Sequence, residues 1–225
     1  MWPWSKKKPP PADGLKLRET LFGDMPLSAL TANTSAEPFA SFARVAERLE
    51  NDDRAGAIDV LRSIAETPGL ESRLYLQAWC SLRKLGVEPP PEDARRLFGV
   101  VIDVPMNGGL DVLAAYADRR ARYLNFRGSA ILWEAPDARL DGRIDALLAE
   151  GRKLVARVGA WRGERPPLAA GRGRISLLTP SGIHFGEGPL DALAQDAMSG
   201  PVMQAATQLM LALVDMAKAS RGRPT

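Results

Sequence analysis

The chemistry open to this chain turns on a hydroxyl and an imidazole placed three residues apart. His184 is the sole histidine among 225 residues, and Ser181 precedes it in the run Thr179-Pro180-Ser181-Gly182-Ile183-His184. A serine within reach of an imidazole can act as a nucleophile with the histidine as its general base. The spacing weighs against that use. Ser181 falls inside a tight turn, an awkward place for a hydroxyl–imidazole pair, and no acidic residue is close in sequence to orient the ring. Alternation with Ile183 and Phe185, both expected to face the core, sends the His184 side chain to the outer side of its strand, beside Ser176. His184 is thus the one catalytic candidate, and most of the constellation it would need is missing.

The other reactive side chains exclude more than they suggest. Cys80 is the sole cysteine, so an internal disulfide and a paired-thiol centre are ruled out. One cysteine and one histidine cannot build a histidine-rich metal site or a zinc ribbon. There is no Gly-rich phosphate loop, no Gly-x-Ser-x-Gly elbow and no His-Glu-x-x-His helix. No metal and no cofactor is expected. Asp103, Glu134, Glu187 and Asp191 are the acids nearest apolar strands or turns, and nothing in their spacing pairs two of them for acid–base work. Trp133 and Trp161 read as core or rim packing.

Arg119, Arg120, Arg122 and Arg127 form the local basic cluster, beside Tyr116, Tyr123 and Phe126. Guanidinium forks next to aromatic rings can hold phosphate groups, and these four arginines with Tyr123 are the candidate ligand-binding residues. Alternation sends Arg120 and Arg122 to one face of a strand and Ala121 and Tyr123 to the other. Arginines at a hairpin tip also serve to keep an edge from pairing with another chain.

Composition fits an ordinary globular protein, with 45% apolar and 25% charged residues. The 30 basic and 27 acidic residues leave a net charge of +3, spread without a strongly basic segment. Nucleic acid is therefore a disfavoured partner. A lone cysteine in a helical apolar pattern is the mark of a small buried hydrophobe and of a cytoplasmic home. The most hydrophobic stretch, 201–217, is interrupted by Gln204, Thr207, Gln208 and Asp215, so no membrane span is expected. The start, Met1-Trp2-Pro3-Trp4-Ser5 followed by Lys6, Lys7 and Lys8, lacks the apolar core of a signal peptide. Trp2, Trp4, Lys6, Lys7 and Lys8 could touch an anionic membrane surface. A solubilising tail leading into Pro9-Pro10-Pro11 is the favoured reading, because three lysines make a poor anchor.

The elements that must position these groups divide near residue 99. Residues 1–38 are expected to be mostly a disordered tail with short ordered pieces. Residues 39–98 have helical periodicity. Phe39, Phe42, Ala46 and Leu49 share one face, Asp52 and Asp53 cap a second helix through Ala65, and Leu74, Ala78, Leu82 and Leu85 mark a third. A fourth follows Pro89-Pro90-Pro91 and buries Ala94, Leu97 and Phe98. Past 99 the period changes to two. Asn107-Gly108 signals a hairpin, strands follow over 110–117, 120–126 and 129–134, and a helix carries Ile144 to Val158. A hairpin over 174–185 and two further helices complete an α+β domain spanning 99–225.

Some of these residues carry a family resemblance. Ala57-x-x-x-Leu61 and Ala94-x-x-x-Phe98 match the small-then-bulky pair of the second helix in tetratricopeptide-type repeats. Trp79-x-x-Leu82 is similar to the opening of that repeat's first helix, and Pro68 falls near its closing proline. Arg83 and Gly86 stand where the repeat prefers glycine and tyrosine. The resemblance covers 39–98 alone and implies helical hairpins that bind peptides or protein partners. The strand and helix order past 99 is similar to that of small profilin-like and longin-like domains, many of which are binding or scaffolding modules.

The sequence therefore predicts an α+β protein in which antiparallel helical hairpins precede an antiparallel sheet, a four-strand meander plus a hairpin, covered by helices. Its expected work is non-enzymatic: an adaptor that binds another protein. A small-molecule or phosphate-ligand module built on the arginine hairpins is the alternative, and a hydrolytic enzyme using His184 comes third.

Overall fold

Period-two alternation from residue 99 onward builds the centre of the molecule. The computed structural model describes residues 17–32, 36–134, 136 and 138–221. Four strands, β1 (Gly99–Met106), β2 (Gly109–Tyr116), β3 (Ala121–Leu124) and β4 (Ala130–Trp133), form a meander. The Asn107-Gly108 turn joins β1 to β2, and Gly108 takes a φ of +103°, a backbone that glycine alone adopts without strain. The hairpin of β5 (Gly173–Thr179) and β6 (Gly182–Gly188) pairs with the other side of β1. The result is a six-stranded antiparallel sheet in the order β4-β3-β2-β1-β5-β6.

Both faces of this sheet are covered. Val100, Ile102, Leu113, Ala115, Ile175 and Leu177 project to one side, where Ile144, Leu147, Leu148, Val202, Leu209 and Leu213 meet them. These come from a long helix (Ala138–Val155) and the C-terminal helix (Ser199–Arg221), which a short helix (Leu190–Gln195) precedes. Val101, Val112, Ala114, Tyr116 and Leu178 project to the opposite side and pack on Leu21, Phe22 and Leu76.

The second cover comes from the N-terminal helices. In chain order these are α1 (Leu27–Thr31), α2 (Phe39–Glu50), α3 (Arg54–Ala65), α4 (Ser72–Lys84) and α5 (Pro91–Ala94); the three helices past the meander are then α6, α7 and α8. The Gly56 N–H donates to the Asp53 carboxylate at 2.9 Å, which caps α3 as its sequence requires. Phe42, Val45, Ala57, Leu61, Ile64, Leu74, Ala78, Trp79 and Leu82 make a core of their own. α4 is buried on several sides, since Leu76 faces the sheet while Leu74, Ala78 and Leu82 face α2 and α3.

One expectation changes. The helix after Pro89-Pro90-Pro91 stops at Ala94, so Leu97 and Phe98 lie beyond it. The Phe98 N–H already donates to the Leu178 carbonyl at 2.9 Å, so the sheet claims this backbone before a further helical turn forms. Within 1–38, residues 17–26 are a strap pinned across the sheet. The Tyr116 hydroxyl donates to the Leu21 carbonyl at 2.8 Å, and the Gln77 amide bonds both the N–H and the carbonyl of Met25 at 2.9 Å. Trp2, Trp4, Lys6, Lys7 and Lys8 lie outside the described residues.

Candidate functional site

The turn between β5 and β6 gathers the polar groups that the sequence set three residues apart. Thr179 and Gly182 are register partners, so the chain reverses through Pro180 and Ser181 and brings three side chains onto one side. His184 Nε2 lies 3.2 Å from Ser181 Oγ and 3.2 Å from Thr179 Oγ1, and the two hydroxyls are 2.9 Å apart. His184 Nδ1 is 2.7 Å from the Val158 carbonyl. The imidazole is 1% exposed, where the sequence placed it towards solvent. The alternation itself holds, since Ile183 packs on the strap side of the sheet. The other side is no solvent face, however, because α6 and the chain following it lie there. His184 pairs in register with Leu177 and not with Ser176, which points to the opposite face.

Burial holds the imidazole below its usual pKa; the Val158 carbonyl opposes this and the Arg95 charge adds to it. Other layers converge on the same turn. The Ser181 N–H donates to the Ala94 carbonyl at 3.0 Å, Arg83 donates to the Pro180 carbonyl, and Arg95 donates to the Ala156 carbonyl at 3.1 Å. Burial also lowers the Arg83 pKa and raises that of Cys80, which is buried on α4 as its apolar pattern implied.

A second polar cluster lies under the strap. Arg18 pairs with Asp103 at 2.9 Å, and Arg174 pairs with Glu187 at 2.6 Å while donating to the carbonyls of Pro166 and Pro167. Arg165 pairs with Glu19 and Asp24 and covers the Phe22 ring at 3.8 Å from its centroid. Asp103 is fully buried, and that burial raises its carboxyl pKa against the pull of Arg18. Sequence reasoning passed over Arg18, Arg165 and Arg174. The available signal was Arg174 alternating with Ser176 and Leu178 on a covered strand.

The proposed ligand residues do not all meet. Arg119 sits at φ +63° in the β2–β3 turn and pairs with Asp141 and Asp145 of α6 at 2.7 and 3.1 Å. Arg120 meets Asp118 at 3.0 Å, and Arg122 meets Glu134 at 2.6 Å. Arg127 lies over the Phe126 ring, and the Tyr123 hydroxyl donates to Asp111 at 2.6 Å. Arg120 also lies 3.6 Å from Glu134, so it and Arg122 share that carboxylate, while Arg119, Arg127 and Tyr123 lie apart from them, Tyr123 packing towards α6 and α8. Asp103, Glu134 and Glu187 each answer an arginine and do not meet one another. Among the described residues no three or more of His, Cys, Asp or Glu are grouped so as to hold a metal ion, and no helix is long and apolar enough to cross a membrane.

The two edges of the sheet differ. β6 is guarded: the Trp161 N–H donates to the Ile183 carbonyl at 2.7 Å, and the Trp161 ring packs on Phe185. β4 has no strand or bridge on its outer side among the described residues. Its residues are Ala130, Ile131, Leu132 and Trp133, and Leu132 is 49% exposed. A shallow groove near the β1–β2 hairpin, lined by Met106, Leu110, Leu168, Arg172 and Leu190 among others, holds no hydroxyl, thiol or imidazole. No family model matches this chain, and the searches of curated proteins and of solved structures found no match.

Proposed function

We propose that the protein works as an adaptor, binding another protein by taking an extended segment of that partner onto the outer edge of β4. The open edge of β4, uncharged over Ala130–Trp133 though Arg139 lies over the Trp133 ring and Glu134 follows, carries this reading. Proteins that remain monomeric usually guard an outer strand with charge, proline, a bulge or a covering loop. β6 has such a guard in Trp161. β4 presents four uncharged residues. An incoming strand would continue the antiparallel ladder through main-chain hydrogen bonds and would set a side chain against Leu132. A cytoplasmic setting accords with this, because the single cysteine leaves the fold no disulfide to form.

The test is a charged gatekeeper on the exposed face of β4. In the double variant Ala130→Lys/Leu132→Lys, the folded chain is expected to keep its melting temperature within a few degrees. Native mass spectrometry is expected to show a stoichiometric protein partner on the natural chain and to show its loss in the variant. An interface centre disrupted in this way costs about 2 kcal/mol or more, roughly a thirtyfold loss of affinity. Amide exchange at 130–133 should slow when the partner is bound. Undiminished partner binding by the double variant, or unchanged exchange along β4 in the complex, sinks the proposal.

A further inference from the structure

We propose that Ser181 is a nucleophile activated by His184, and that its substrate is an ester bearing an anionic group. Proton accounting at the turn supports the first part. The Val158 carbonyl offers no proton, so His184 Nδ1 must hold one and donate it across 2.7 Å. Nε2 of the neutral ring is then a bare lone pair. Thr179 gives its hydroxyl proton to the Gly182 carbonyl at 2.9 Å. The Ser181 proton is left to point at Nε2 across 3.2 Å or at Thr179 Oγ1 across 2.9 Å. That separation is in the range expected of a nucleophile and its base before substrate binds. The base is buried while Ser181 keeps part of its surface open.

Charge supports the second part. Arg18, Arg120, Arg122, Arg165 and Arg174 all meet carboxylates. Arg83 and Arg95, both beside this turn, have no such ion pair among the described residues and donate to backbone carbonyls. Glu88 and Asp24 act on the Arg83 charge, so Arg95, whose charge is felt at His184, is the one that faces an anion approaching Ser181.

In the reaction, Ser181 Oγ attacks the ester carbonyl carbon and its proton passes to Nε2. The tetrahedral intermediate collapses by expelling the alkoxide, which leaves carrying that proton. Water then attacks the acyl-serine, Nε2 takes one proton from it and returns it to Ser181 Oγ, and the free acid departs. The assignment is independent of the β4 edge, and either can fail alone.

The experiment uses the full-length chain with 4-nitrophenyl acetate as probe. An acetyl group mapped to Ser181 by peptide mass spectrometry is expected, with turnover at least about tenfold lower in Ser181→Ala and His184→Gln. Because His184→Gln removes a buried group, the natural chain supplies a second readout. Its rate should rise with pH through one ionisation and then level off. Inorganic phosphate should compete with the probe, and Arg95→Ala should weaken that competition several-fold. No acetyl on Ser181, equal turnover in Ser181→Ala, or a rate climbing without a plateau through the neutral range overturns the nucleophile. Absence of competition by phosphate overturns the anionic substrate.

Discussion

A histidine kept neutral by burial makes folding sensitive to acid. His184 titrates below its ordinary value in the folded chain, chiefly because the cation would lose its water. Between that value and about 6.5, its value when unfolded, the unfolded chain binds a proton that the folded chain does not. Stability from this group is complete above the window, falls as pH drops through it, and levels off below the folded value. Urea midpoints measured from about pH 8 down to about pH 5 should fall, and His184→Gln should flatten the difference. Because the raised Asp103 carboxyl acts with the opposite sign, a pH dependence unchanged in His184→Gln would contradict the assignment. The residue types of this site are legible in the sequence, but their meeting is not. Alternation fixes that His184 and Ile183 face opposite ways. It cannot say that α6 covers the side taken by His184, nor that the turn at Pro180-Ser181 closes tightly enough to bring Oγ to Nε2.

At the scale of elements, periodicity reports what repeats and is silent about what does not. The strands expected over 110–117 and 129–134 appear as Gly109–Tyr116 and Ala130–Trp133, and the Ile144 helix as Ala138–Val155. The strap over 17–26 is too short and irregular to carry a sustained period; it is held by Tyr116, Gln77, Asp103 and Arg165 and by the burial of Leu21 and Phe22. Gly23 shows how tightly. Its φ is +66°, and a Cβ there would stand 2.7 Å from the Arg73 carbonyl and 2.8 Å from Leu76 Cβ. Backbone cannot withdraw as a flexible side chain would, so Gly23→Ala combines left-handed strain with a clash. A loss of about 1–3 kcal/mol is expected, seen as a melting temperature several degrees lower and faster amide exchange along 17–26. An unchanged melt would show that the strap adds little to the fold.

At the scale of the whole molecule, one helix joins the N-terminal helices to the sheet. α4 gives Leu76 to the core beneath the strap, with Val101, Val112, Tyr116 and Leu178, and gives Leu74, Ala78, Trp79 and Leu82 to the core of the N-terminal helices. The Tyr75 ring stacks on Phe98 at 4.2 Å, and the Ser72 N–H donates to Asp118 at 2.8 Å, so the join is polar and apolar at once. An apolar sheet face bearing Val101, Val112 and Leu178 is stable in water only while it stays covered. Helical layer and sheet should therefore unfold together, although the sequence divides them near residue 99. Leu76→Ala tests this from the shared helix. It should cost about 2–5 kcal/mol, the range for a buried leucine, and lower the stability of both layers alike. Hydrogen exchange in urea would follow amides of α3 and of β1 in the same sample, and their transitions should coincide in both the natural chain and the variant. If α3 opens at lower urea than β1, or Leu76→Ala weakens the helices while sparing the sheet, the layers are separate folding units and α4 is only a neighbour of the sheet.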